Sequence, residues 1–152
     1  MLATENLEEI KKIIQEFFQK MEIPAEIKDL ELKDSTIILE VKVEDPKILI
    51  GQGGQTLAEI QHLLKAILSR KISERFYFDF DINDYKKKKI EYLKEMAKVL
   101  ADEVSLTKKE KILAPMPAYE RRIIHLELSQ REDVKTESVG EEPERRIVIK
   151  PL

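Results

Sequence analysis

The chain has no cysteine and no tryptophan, and only two histidines and four glycines among its 152 residues. Without thiols it builds neither disulfides nor thiolate metal sites, and cysteine nucleophile chemistry is excluded. That absence fits a cytoplasmic location. Two histidines and no paired acidic motif give an acid–base or metal centre little to work with, so no catalytic residue, metal or cofactor is expected. No run of about 18 apolar residues occurs, so membrane insertion is not expected. Residues 1–20 are charged throughout and lack the apolar centre of a signal peptide. Abundant Lys and Glu beside absent Cys and Trp would suit a thermophile.

Hydrophobic residues make up 42% of the chain and charged residues 38%, the balance of a folded protein rather than a disordered one. The length suffices for one ordinary domain or two small ones. A net charge of −3 does not itself point to a polyanionic partner. Its distribution says more: residues 1–82 carry 11 basic against 16 acidic side chains, whereas Lys86 to Arg122 holds 11 basic against 6 acidic. Any phosphate contact therefore depends on local basic surfaces.

Leu7, Ile10, Ile13, Ile14, Phe17 and Phe18 recur at helical spacing and predict an amphipathic helix ending before Pro24. Residues 26–32 alternate imperfectly and residues 36–43 cleanly, which with the polar turn Lys33-Asp34-Ser35 predicts a hairpin. Asp45 as N-cap and Pro46 as first helical residue open a short turn that runs into Gly51-Gln52-Gly53-Gly54. A second helix follows, with Leu57, Ile60, Leu64, Ile67 and Leu68 as its apolar stripe. A strand then places Phe76, Phe78, Phe80 and Ile82 on one face. The element order changes near Asn83, so the division expected is 1–82 and 83–152. In the second part Asn83 or Asp84 caps a long helix reaching about Leu106, with Leu93, Met96, Ala97, Leu100 and Val104 inward. A short strand at Ile112-Leu113, a helix over 118–129 and a hairpin of residues 134–139 and 145–150 complete it.

The glycine segment carries the sharpest chemical signal. Glycine costs conformational entropy, so three of them between two helices need a reason, and one is close approach of backbone N–H groups to a phosphate. A P-loop needs Lys-Ser/Thr where Gln55-Thr56 stands, and a dinucleotide loop needs a preceding strand; both fail. What remains is the Gly-x-x-Gly arrangement of the KH motif, or a plain tight turn between helices. Ile50-Gly51-Gln52-Gly53-Gly54, in this element order, resembles a type II KH domain, which implies a three-stranded sheet with helices. The expected contacts are Gly51, Gln52, Gly53, Gly54 and Gln55, with an apolar groove behind them for bases. Both middle residues are uncharged, so backbone donation remains while the Coulombic contribution is lost. His62 is expected at the surface or groove edge.

In Tyr119-Glu120-Arg121-Arg122-Ile123-Ile124-His125 the spacing puts Arg121, Arg122 and His125 within an arc of about 100°. Tyr119, Ile123 and Leu126 lie opposite, toward a core. A bare Arg-x-x-x-His match is a solvated helix surface first. Between a long helix and a hairpin it resembles the R-3-H domain, a small α+β single-stranded nucleic-acid binder. Lys86, Lys87, Lys88 and Lys89 read first as a solvated helix end, and as an extension of an RNA path where they line up with Arg121 and His125.

KH followed by R-3-H resembles the bacterial Jag/KhpB family, over motifs that include Gly54-Gln55-Thr56-Leu57, Asp81-Ile82-Asn83-Asp84-Tyr85 and Pro117-Ala118-Tyr119-Glu120-Arg121-Arg122. The N-terminal Jag domain of many members has no counterpart in these residues. The resemblance implies an α+β protein that binds single-stranded RNA (or ssDNA), regulates post-transcriptionally in connection with cell elongation and division, and partners a small KH protein, KhpA. A protein-interaction scaffold and, further off, a nuclease are the alternatives.

Overall fold

In the computed structural model, which describes residues 5–152, helix α1 (Glu5–Lys20) buries Ile10, Ile14 and Phe18, one stripe at a spacing of four. Strands β1 (Ala25–Lys33) and β2 (Thr36–Val43) pair antiparallel, and β3 (Tyr77–Ile82) joins β2 in parallel, giving the order β1-β2-β3. A parallel neighbour requires a crossover. It is supplied by α2 (Lys47–Ile50), a 3₁₀ turn (Gln52–Gly54) and α3 (Gln55–Ser69). The register aligns Ile37 with Phe78, Leu39 with Phe80 and Val41 with Ile82, so two apolar rows face the helices together. The imperfect alternation of β1 has a cause. Ile27 pairs with Val41 but Asp29 with Glu40, leaving Lys28 as an extra residue. That bulge moves the inward phase from Ile27 to Leu30 and Leu32.

Two helix starts differ from expectation. Pro46 precedes α2 instead of opening it, and no side chain caps the helix, although Asp45 accepts from the Lys47 N–H at 3.4 Å. The long helix α4 spans Tyr85–Thr107, so Asp84 stands immediately before it, but a side-chain acceptor for its first turn comes from further back. The Asp81 carboxylate accepts the Lys86 N–H, at 3.0 and 3.2 Å from its two oxygens. Asn83 instead extends the sheet, its amide both accepting from Val43 N–H and donating to Val43 O at 2.9 Å. The Asp84 N–H donates to Glu40 Oε1 at 2.8 Å. Both turn residues take the left-handed conformation that Asn and Asp tolerate (φ 52° and 56°). These bonds tie residues 83–86 to the first sheet, and the chain divides into the units Met1–Lys86 and Lys87–Leu152. The first four residues of the expected 1–82 region lie outside the described residues.

The second unit has its own core. Leu93, Ala97, Ala101 and Val104 of α4 pack with Ile124 and Leu128 of α5 (Ala118–Leu128). Met96 and Leu100, expected inward, sit only partly buried at the rim. The sheet orders β4 (Lys111–Ile112), β6 (Arg146–Pro151) and β5 (Val134–Val139) antiparallel. Arg131 joins Asp102 of α4 (2.7 Å) to Asp133 before β5 (2.6 Å). Hydrogen bonds from Arg131, and then Ser105, hold the Asp133 carboxyl well below the usual carboxylate range.

Candidate nucleic-acid interface

Gly51, Gln52, Gly53, Gly54 and Gln55 lie together between α2 and α3, as the sequence predicts. Glycine is required at both ends of the loop. Gly51 has φ 72° and ψ −178°, and a Cβ there would collide with Thr56 Oγ1 and stand 2.8 Å from its Cβ. At Gly54 (φ 82°) a Cβ would lie 2.9 Å from a ring carbon of Tyr85. Gly53 differs: it is left-handed (φ 63°), but nothing lies within 4 Å of where its Cβ would stand. The loop is therefore packed at its ends and open at its tip. No side chain caps α3, so its first-turn N–H groups are unclaimed by side-chain acceptors. With the positive end of the helix dipole, that is a place for an anion. Gln55 is exposed and donates to Glu59 at 3.4 Å; His62 is exposed further along the helix.

Beyond the loop, α3 runs beside the outer edge of β3. Gln61 Oε1 accepts from the Phe80 N–H at 3.2 Å and from Lys86 Nζ at 2.8 Å. Lys86 also pairs with Asp79 at 2.9 Å. The lysine run is thus split in its roles. Lys86 is committed to this edge and Lys89 lies 5.7 Å from the Tyr92 ring centre. Lys87 and Lys88 form no ion pair among the described residues.

On α5 the expected packing holds for Ile123, which lies partly buried against the core, and fails elsewhere. Tyr119 and Leu126 are more than half exposed, while Arg121, on one side with Ile124 and Leu128, is only 9% exposed. Its guanidinium donates to Met116 O (2.9 Å) and pairs with Glu142 of the β5–β6 turn (2.8 Å). An arginine stem is apolar enough to take a core-facing position when its head finds partners at the rim. Arg122 and His125, three apart, remain exposed. His125 Nδ1 lies 2.6 Å from Thr136 Oγ1 on β5. Two residues along the same face, Ser138 Oγ accepts from Arg145 Nε at 2.9 Å, and Arg145 also donates to Gly140 O at 2.8 Å. The structure thus adds Thr136, Ser138 and Arg145 to the face of Arg122 and His125 and turns Arg121 into its brace. The period-2 placing of Thr136 and Ser138 was the available signal in the sequence.

Residues 9–75 match the KH domain family and residues 91–151 match the R-3-H domain family. Among curated proteins, an RNA-binding protein KhpB of Clostridium symbiosum is 34% identical over 139 residues, covering 91% of this chain and 63% of the relative. The RNA-binding protein KhpB of Bacillus subtilis (strain 168) is 38% identical over 116 residues, covering 75% of this chain and 56% of the relative. That of Streptococcus pneumoniae serotype 2 is 29% identical over 141 residues, covering 93% and 43%. The chain spans about half the length of the relatives it matches.

Proposed function

The chain belongs to the Jag/KhpB family, a KH domain followed by an R-3-H domain, and on that premise we propose that it binds single-stranded RNA through two separate phosphate-contacting surfaces. The observation that carries this reading is the glycine loop, closed at both ends, open at Gly53 and followed by a helix that no side chain caps. The N–H groups of Gly51, Gly54 and Gln55 bond Lys47 O, Gly51 O and Gln52 O inside the loop, so those of Gln52 and Gly53 at its tip hold one stretch of the sugar–phosphate chain. Arg122 and His125, with Thr136, Ser138 and Arg145 beside them, hold another. Arg122 supplies a planar fork suited to phosphate, and the hydroxyls add neutral hydrogen bonds. Lys87 and Lys88 add positive charge at the start of the second unit.

Binding rather than catalysis is the reading favoured by His125. Its Nδ1 partner is a threonine hydroxyl, not a carboxylate that could orient a general base. No group of three or more His, Cys, Asp or Glu able to hold a metal occurs among the described residues. No helix among them is long and apolar enough to cross a membrane, and the site of action we propose is the cytoplasm. The cellular role proposed is post-transcriptional regulation tied to cell elongation and division, with the small KH protein KhpA as partner.

Gly53→Asp tests the reading cleanly. The new Cβ meets no atom within 4 Å, and Asp tolerates the left-handed conformation, so the fold survives. A carboxylate at the tip then repels phosphate. Anisotropy with a labelled 12-nucleotide RNA is expected to show affinity reduced about tenfold. Unchanged affinity overturns the role of the loop. Failure of the wild type to bind at low salt favours a protein-interaction scaffold instead, and RNA cleavage abolished by His125→Ala favours a nuclease.

A further inference from the structure

The glycine loop carries no cation, and the first unit as a whole is acidic, yet one corner of it is strongly basic. Residues 65–77 hold Lys65, Arg70, Lys71 and Arg75 against a single acid, Glu74. All four cations are exposed, and none forms an ion pair among the described residues. They lie where α3 ends and β3 begins: Lys65 and Arg75 line an open cleft of about 470 Å³ together with Ser69, Glu74, Phe76 and Tyr77, and Arg70 and Lys71 belong to the turn that leads from α3 to it. Tyr77 is 71% exposed, an aromatic ring left in solvent at the cleft wall. The outer neighbours of a β-strand commonly expose charged residues, but a bare tyrosine beside a cationic cleft suits a flat, negatively charged ligand better than water.

This corner is continuous with the loop. Gly54 packs on Tyr85 at one end of α3, Gln61 touches the β3 edge at Phe80 midway, and Lys65 and Ser69 share the cleft with Tyr77 at the other end. Gln61, Lys65 and Ser69 stand four apart and so lie along one face of the helix. A helix of 15 residues separates the two ends by about 22 Å. We propose that this α3–β3 corner is a second contact for the same RNA strand. Phosphates lie against Arg70, Lys71 and Arg75, a base stacks on Tyr77, and the intervening nucleotides follow α3. In this division of labour the loop positions the backbone by N–H donation and the corner supplies the charge the loop lacks. The proposal rests on the RNA-binding reading above. RNA is favoured over an acidic peptide because the exposed ring offers stacking, which every base accepts.

The test is the length dependence of binding by the full chain. A Gly-x-x-Gly loop clamps about four nucleotides, so a tetranucleotide fills the loop without reaching the corner. A 12-nucleotide strand reaches both. Tyr77→Ala is expected to weaken the 12-mer about tenfold, and Lys71→Ala/Arg75→Ala to lower its log–log salt slope by about 1.4. For both variants the tetranucleotide shows a much smaller loss. The altered side chains are exposed, so melting temperatures stay near the wild type and unfolding does not account for the effect. Wild type that binds no RNA overturns the functional reading and this proposal with it. Wild type that binds the 12-mer with both variants equal to it overturns this proposal alone. Retained RNA binding with lost binding of an oligoglutamate peptide overturns it in favour of a protein-facing surface.

Discussion

Replacing Arg121 with alanine separates a structural brace from a phosphate donor. The side chain is 11% exposed, donates to Met116 O at 2.9 Å and pairs with a Glu142 side chain that is 59% exposed. A hydrogen bond made by a charged group contributes about 1.5–3 kcal/mol, and here its loss leaves a carbonyl without its donor. The half-exposed ion pair adds less than about 1 kcal/mol after solvent screening. Lost packing of the stem beside Ile124 and Leu128 brings the expected cost to roughly 3–4 kcal/mol. For a unit of this size each kcal/mol lowers the midpoint by about 4–8 °C, so a fall of at least about 10 °C is expected. Calorimetry of the full chain measures it, with exposed Arg122→Ala as the control expected to change stability by less than about 0.5 kcal/mol. An Arg121→Ala variant that melts with the wild type yet loses RNA affinity would show instead that the guanidinium is a free phosphate ligand and not a brace.

Gly51→Ala should destabilise the first unit by at least about 2 kcal/mol, since its φ/ψ pair is essentially reserved for glycine and the new Cβ strikes Thr56; a urea midpoint equal to wild type would contradict this. Asn83→Ala removes both side-chain bonds to Val43 and should cost about 2 kcal/mol, read by faster amide exchange at the β2–β3 end. Asp133, held low by Arg131, contributes stability that is complete above the unfolded carboxylate value and is lost as pH falls through its depressed folded value. Asp133→Asn should therefore flatten the acid side of the second unit's melting profile below about pH 4. The half-buried Asp81 carboxyl is raised by desolvation, so its contribution has the opposite sign, present at low pH and lost as pH rises through its folded value. Asp81→Asn should remove this decline, which spans the interval from the unfolded carboxylate value up to the raised folded one.

The first sheet was legible because Ile37, Leu39, Val41 and Val43 alternate without interruption, and a period of two admits one buried face. Strand β1 was blurred by Lys28, whose bulge reverses the inward phase in a way that a fixed period cannot represent. The glycine loop was legible in residue type, but which glycines are packed and which is open depends on Thr56 and Tyr85, and only folding sets those contacts. Helix α5 offered two apolar stripes of similar quality, Tyr119-Ile123-Leu126 and Ile124-Leu128. The second is buried and Ile123 of the first packs beside it, while Met116 and Glu142 give the head of Arg121 partners that the sequence spacing does not reveal. The cap at Asp81 was hidden for a similar reason: it sits in a strand and reaches forward over a turn to the Lys86 N–H.

If phosphate is held on both units, the salt dependence of RNA binding must report contacts from each of them. Each phosphate contact on a single strand contributes about 0.7 to the slope of log affinity against log salt. With a 12-nucleotide single strand, the wild type should show a slope of several such contacts, and Arg122→Ala/His125→Ala should reduce it by about 0.7 or more while the melting temperature holds. A wild-type slope near zero, or a slope unchanged in that variant, would contradict phosphate contact on both units.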